Sequence, residues 1–403
     1  MNCSRAFSHL LISIILLLLP KIISSNNTDT LALEYDSEEH QSYYTHYNRA
    51  YSYMQAKRYD LALIEVNKAI KIDPHHVEGY IRRGYIHRSL GKYQLAIADF
   101  SQAIQIDPEH SLYIGTPYLI RGQIYLEQEK YVLALADFNK EIEINPNFYT
   151  AYYHRGTIYL QQEKYELALT DFSKVIHFNP LFKEAIINRG LLYFKQSQYQ
   201  LALADFDRAI EIDPDYAEAY NNRGLIYRRQ GKNNLALADF NKAIEIAPDN
   251  ANPYYNRGLI YSGQEKDNLA LADFNKAIEI TPDYVEAYNN RGSIYGRQKK
   301  DSLALADFNK AIEINSNYAL AYNNRGFIYS RQGKNNLALA DFNKAIEIAP
   351  DNAKAYYNRG FIYSRQKKYN LARIDWENAK QLLQAQGDTS SVGQLENLLR
   401  QLP

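Results

Sequence analysis

Apolar and polar positions between residues 43 and 386 follow a helical period, interrupted at regular intervals by short polar runs. The stretch 219–250, AYNNRGLIYRRQGKNNLALADFNKAIEIAPDN, shows the pattern most clearly. At about 100° per residue, Tyr220, Gly224 and Tyr227 fall on one narrow stripe of a helix. Gly231 and Asn233-Asn234 then read as a turn. Beyond it Ala236, Phe240, Ala243 and Ala247 form a second stripe, widened by Leu237 and Ile244, and Pro248-Asp249 ends that helix. The pattern predicts two amphipathic helices joined by a tight turn. Gly224 and Ala236 are small where two backbones approach, and Tyr220, Tyr227 and Phe240 are large where a neighbour must fill space.

This pair of helices recurs. Gly156, Gly190, Gly224, Gly258, Gly292, Gly326 and Gly360 are each 34 residues apart, as are Pro146, Pro180, Pro214, Pro248 and Pro282. A period of this size predicts an all-α solenoid, in which each repeat buries its apolar face only against its neighbours. Counting from each glycine, with Ala50 standing for it in the first, gives ten repeats: 43–76, 77–110, 115–148, 149–182, 183–216, 217–250, 251–284, 285–318, 319–352 and 353–386. An insertion between the second and third falls at residues 110–116, where Thr116-Pro117 supplies an N-cap and a first-turn proline for the next helix.

Spacing and side chains together resemble the tetratricopeptide repeat (TPR) family: an aromatic, Gly, Tyr, then Ala, Phe, Ala and a closing Pro over 34 residues. His46 and Ile186 depart from the first aromatic, Ser316 from the proline and Trp376 from the phenylalanine. The resemblance implies a right-handed superhelical solenoid of antiparallel helix pairs that holds a peptide in its concave groove. Tyr in most of the large slots accounts for 37 tyrosines against one tryptophan.

Composition narrows function further. With 46 basic and 46 acidic residues the chain has no basic field for nucleic acid. The nine histidines show no metal-ligand spacing, and there is no phosphate loop after a strand. The reading is a non-enzymatic protein without metal or cofactor. Residues 1–25 read as a signal peptide or short N-terminal anchor: Arg5 and His9 precede the apolar run Leu10–Leu19, which is too short to span a bilayer. Cleavage predicts a secreted, periplasmic or lumenal protein, retention a membrane-anchored one, with contact to membrane only through this segment. Cys3 lies within it, and Asn26-Asn27-Thr28 is a glycosylation sequon only on a eukaryotic secretory route. Residues 26–42, with Asp29, Glu34, Asp36, Glu38 and Glu39 and no Lys or Arg, read as a disordered acidic lead-in. At the other end, residues 387–403 read as a capping helix with Ser391 and Gln394 at capping-box spacing and Val392, Leu395, Leu399 and Leu402 on one face.

Two constellations are candidates for more than packing. Asn188, Asn222, Asn256, Asn290, Asn324 and Asn358 recur two residues before the glycine, opposite the buried stripe on the wheel, with Glu218, Leu225 and Arg229 beside Asn222. The resemblance places this face in the groove, where carboxamides offer a donor and an acceptor to a peptide backbone. It is similar to the TPR half of O-linked N-acetylglucosamine transferases, without the catalytic half. Residues 230–251 and 332–353 are identical, so copying alone also accounts for recurrence. The second constellation is an Arg before every glycine and an acidic residue before every Phe or its equivalent, typified by Arg223 and Asp239. A lone carboxylate at that position inside an apolar arc is costly, so a structural ion pair repeated ten times is expected. The functional expectation is a scaffold for a protein or peptide partner. Alternatives are an assembly factor for a membrane or lumenal complex and the regulatory arm of a separate glycosyltransferase.

Overall fold

A computed structural model describes residues 38–109 and 116–403. The expectations for residues 1–25, 26–37 and the insertion at 110–115 lie outside the described residues. Within them there are 21 α-helices and no strand. The described backbone divides into two compact bodies between Leu192 and Tyr193, inside the helix Lys183–Lys195.

Each repeat is an antiparallel pair, represented by Ala217–Arg229 and Asn233–Ile246. The turn is shorter than the sequence suggests. Asn233 and Asn234 already belong to the second helix, and the reversal rests on one left-handed residue, Gly231 at φ +72°. Gly91 and Gly333 do the same, whereas Lys57, Glu129, Glu163, Ser197, Glu265, Lys299 and Lys367 hold the same turn at φ 56–60° without being glycine. For an L residue that region costs roughly 1–2 kcal/mol, which the packed helices on either side outweigh.

The core runs from repeat to repeat. Gly224 lies so close to the second helix that a Cβ there would meet Phe240 Cε1 at 2.7 Å. Phe240, fully buried with Ala236, packs against Ile260 of the following repeat, and the same arrangement joins Phe274 to Ile294, Phe308 to Ile328 and Phe342 to Ile362. An apolar side chain two residues after the glycine is therefore the link between successive repeats.

Both ends modify that link. In the first repeat the position holds Ser52, and Thr45 stands where the following repeats have Gly79, Pro117 or Ala151; both are exposed, so this edge is polar. The first helix spans Glu38–Gln55, which takes residues 38–42 out of the expected disordered lead-in. Glu38 and Glu39 sit in its first turn, where carboxylates complement the helix dipole. At the other end the last second helix, Tyr369–Ala385, stops before Gly387 at φ +76°. In the helix Thr389–Arg400, Leu395 is buried against Trp376 and Ala379, flanked by Leu398, Leu399 and Leu402. Its cap is Asp388, which accepts from Ser391 N at 3.0 Å and Ser391 Oγ at 2.6 Å, so Ser391 is a donor to the cap and not the cap itself.

Candidate protein-binding face

The two constellations read from the sequence occupy different layers. Arg223 lies between helices. Its Nε and Nη2 donate to Asp239 Oδ2 and Oδ1 at 2.9 and 2.7 Å, a bidentate pair. Its Nη1 donates to Asp207 Oδ1, in the second helix of the preceding repeat, at 2.6 Å. Arg257, Arg291, Arg325 and Arg359 repeat the geometry on Asp273, Asp307, Asp341 and Asp375, with Asn241, Asn275, Asn309 and Asn343 as the third acceptors. One guanidinium thus ties three helices, which the planar five-donor fork permits and a lysine does not. Tyr220 and Tyr227 lie on either side of it, their ring centroids 5.5 and 5.9 Å from its carbon. These tyrosines are half-buried, so they cover the ion pair as well as fill the core.

The hydrogen bonds that Arg223 donates to Asp239 raise its affinity for its proton, outweighing burial, which lowers it. In the N-terminal body burial raises Asp137 and Asp171 above the ordinary carboxylate range despite Arg121 and Arg155. The first repeat breaks the expected run of ten. There Glu65 takes His46 Nδ1 at 2.7 Å and Lys68 Nζ at 2.7 Å, while Arg49 is exposed and makes no ion pair among the described residues.

The asparagines form the second layer, and here the wheel misplaces the open face. Asn222 and Asn256 are buried, each 7% exposed, and Asn188, Asn290, Asn324 and Asn358 are half-buried. The first helices of neighbouring repeats touch, and the carboxamides bond across that contact. Asn358 Nδ2 donates to Asn323 Oδ1 at 3.0 Å, Asn323 Nδ2 to Asn324 Oδ1 at 3.3 Å, and Asn324 Nδ2 to Asn289 Oδ1 at 2.9 Å. Asn256 reaches Asn221 in the same way at 3.0 Å, and Asn290 reaches the Tyr255 hydroxyl at 3.0 Å. Each carboxamide so engaged has only part of its capacity left for a ligand.

What stays open lies on either side of that row. Glu218 and Arg229 are exposed and Leu225 is half-buried; the guanidinium of Arg229 stands over the Phe194 ring at 5.3 Å. The equivalent positions six before, one after and five after the glycine carry Asn252, Leu259 and Gly263, then Glu286, Ser293 and Arg297, then Leu320, Phe327 and Arg331, then Lys354, Phe361 and Arg365. These spacings share one helical stripe with the asparagine. The character of this stripe changes along the array while the buried layer does not.

Models of the tetratricopeptide repeat match residues 43–76, 77–110, 149–181, 285–318, 308–340 and 353–382, and a TPR repeat model matches 190–231, 224–265, 263–299 and 328–367. The chain belongs to the tetratricopeptide repeat family. No curated protein matches it. Among solved structures, YrrB, a TPR protein with an unusual peptide-binding site, is 29% identical over 46% of this chain and 95% of its own, with a TM-score of 0.37. A tetratricopeptide repeat protein from Parabacteroides merdae is 24% identical over 62% of this chain and 98% of its own, TM-score 0.51. The APC/C hetero-tetramer Cut9–Hcn1 is 12% identical over 90% and 96%, TM-score 0.51. The last two are likenesses of fold.

The described TPR residues contain no group of three or more His, Cys, Asp or Glu able to hold a metal. No described helix is long and apolar enough to cross a membrane. The residues that sequence reasoning passed over are the inter-repeat isoleucines, the third acceptors of the arginines, and Phe327 and Phe361. Their signal was present as recurrence or its breaking at fixed offsets from the glycine, but only packing shows which offsets face a neighbour.

Proposed function

We propose that this TPR chain is a non-catalytic scaffold that binds an extended segment of a partner protein along the stripe presented by its first helices. One observation carries the reading. The Arg–Asp clamps and the carboxamide row hold successive first helices in register, while at least one position flanking that row stays exposed in every repeat of the C-terminal body from 217 onward. The asparagines then act chiefly as the floor of the site, and Glu218, Leu225, Arg229 and their counterparts as its readers. An extended segment suits such a surface because repeats recurring at a constant spacing can each take one short stretch of it.

The reading includes export, from the Arg5 to Leu19 pattern, with the mature chain starting near residue 26. N-terminal sequencing of the protein from its native source checks that part, and a retained Met1 ends it.

For binding, a photo-reactive cysteine adduct placed in turn at Leu225, Leu259, Phe327, Leu235 and Leu303 in the full chain distinguishes the faces. The last two lie on second helices and are half-exposed, 50% each. Covalent capture of one native partner from the three first-helix sites, and none from Leu235 or Leu303, is expected. Capture through the second helices, or from none of the five sites, overturns the proposal.

A further inference from the structure

Exposed large apolar side chains on the first helices of the C-terminal body gather at its last two repeats. Leu320, Phe327 and Phe361 are 46%, 51% and 45% exposed, while Leu225 and Leu259 at the corresponding places are half-buried. Leu320, Asn324, Phe327 and Arg331 follow one another at i, i+4, i+7 and i+11, a single stripe of the helix Ala319–Arg331. Lys354, Asn358, Phe361 and Arg365 make the same stripe on Ala353–Arg365. The two helices touch, and the Asn358–Asn323 hydrogen bond holds them together, so the stripes form one surface. Phe361 leans one side on Tyr357 and Trp376, at ring-centroid distances of 6.4 and 6.5 Å, and presents the other to solvent.

The charge of this surface is one-signed. Neither helix contains Asp or Glu. Arg331 is committed to the fold, donating to Asp301 and to the Gly296 carbonyl. Lys354 and Arg365 are exposed and make no ion pair among the described residues. Earlier on the same face stand Glu218 and Glu286, so the basic character belongs to the end of the array.

We propose that the last two repeats are a docking site for an acidic segment of a partner protein, whose apolar side chains seat on Leu320, Phe327 and Phe361 and whose side-chain carboxylates meet Lys354 and Arg365. This rests on the reading of the first-helix face as the binding face and names the chemistry of its C-terminal part. Three half-exposed apolar side chains on touching helices gain from desolvation only if a partner covers them. Two uncommitted cations beside them select the sign of that partner and exclude basic ones. A nucleic acid strand fits less well, because two free cations neutralise few phosphates and Glu286 repels a polyanion continuing along the face.

The probe is a fluorescent peptide of the sequence TDTLALEYDSEE, residues 28–39 of this chain, in which Leu31, Leu33 and Tyr35 are interspersed with five acidic residues. Titrated with the full chain, it is expected to bind saturably and to weaken as salt rises. Binding should fall about tenfold or more in Phe327→Ser/Phe361→Ser and in Lys354→Glu/Arg365→Glu, and stay unchanged in Leu235→Ser/Leu303→Ser on the second helices. The charge reversals alter exposed side chains only, so they report on binding even where the phenylalanine variant folds poorly. A copy of the peptide with its acids changed to Gln and Asn should not bind. Equal affinity for the two peptides, no effect of either C-terminal variant, or binding of a uridine oligonucleotide in place of the acidic peptide overturns the proposal. If the partner is captured at Leu225 and Leu259 while the peptide ignores the last two repeats, this inference falls and the broader function stands. Capture at no first-helix site removes both.

Discussion

Replacing Glu141 by Gln should convert a pH-dependent weakness in the N-terminal body into a pH-independent one. Glu141 is fully buried in the helix Tyr131–Ile144, at the place where other second helices carry Ala103, Val175, Ala209 or Ala243. Its Oε1 accepts from Asn145 Nδ2 at 2.9 Å, and Oε2 has no partner among the described residues. Burial, only partly opposed by that hydrogen bond, pushes its carboxyl from 4.5 to about 7. A carboxyl raised in the folded state is more stable protonated there than in the unfolded chain. Its favourable contribution is complete below the unfolded value and is lost as pH rises through the folded one. At about 1.4 kcal/mol per pH unit, the loss between pH 4.5 and pH 8 is about 3 kcal/mol. Gln keeps the volume and the Asn145 contact and does not titrate. Its advantage over Glu should therefore grow by about that amount from pH 4.5 to 8, most of it between pH 5 and 7.5. Hydrogen exchange of amides in residues 131–161 reads this locally, since a repeat array opens in parts. A constant difference between Glu and Gln across that range, or one that shrinks as pH rises, refutes the reasoning.

His154 should show the opposite slope. Burial, followed by the charge of Arg88, lowers it from 6.5 to about 4, while Phe138 stacks on it at 5.4 Å. Its contribution is present above pH 6.5 and falls away toward pH 4, by up to about 3 kcal/mol, and His154→Asn should abolish that slope in acid unfolding curves. For the clamp, a double-mutant cycle with Arg223→Met and Asp239→Asn should give a coupling of about 1.5–3 kcal/mol in urea unfolding; strict additivity rejects it. Gly258→Ala, whose Cβ would meet Phe274 Cε1 at 2.8 Å, should cost about 1–3 kcal/mol in thermal unfolding. Gly263→Ala, with nothing within 4 Å, should be neutral or stabilising. Asn324→Ala should lower stability by about 1 kcal/mol by leaving Asn289 without its donor, and an unchanged denaturation midpoint refutes the carboxamide row as a tie between helices.

Within one repeat, much of the design was legible in the chain itself. Small Gly224 and Ala236 and the pairing of Arg223 with Asp239 follow from a helical period and the cost of a lone buried carboxylate. All of them lie on helices already adjacent in sequence. The open face was legible only in part. Glu218 and Arg229 are exposed as the wheel implies, but Asn222 is buried, because a wheel gives an angle and not the neighbour standing at that angle. The third acceptor of each arginine and the isoleucine that closes the core of the preceding repeat share that origin, whereas Asp388 in place of Ser391 as the last cap is a local contact three residues apart. Repetition along the chain determined the unit and its stacking. Contact between repeats decided which recurring side chains are consumed by the stack, and so left Leu320, Phe327 and Phe361 facing outward.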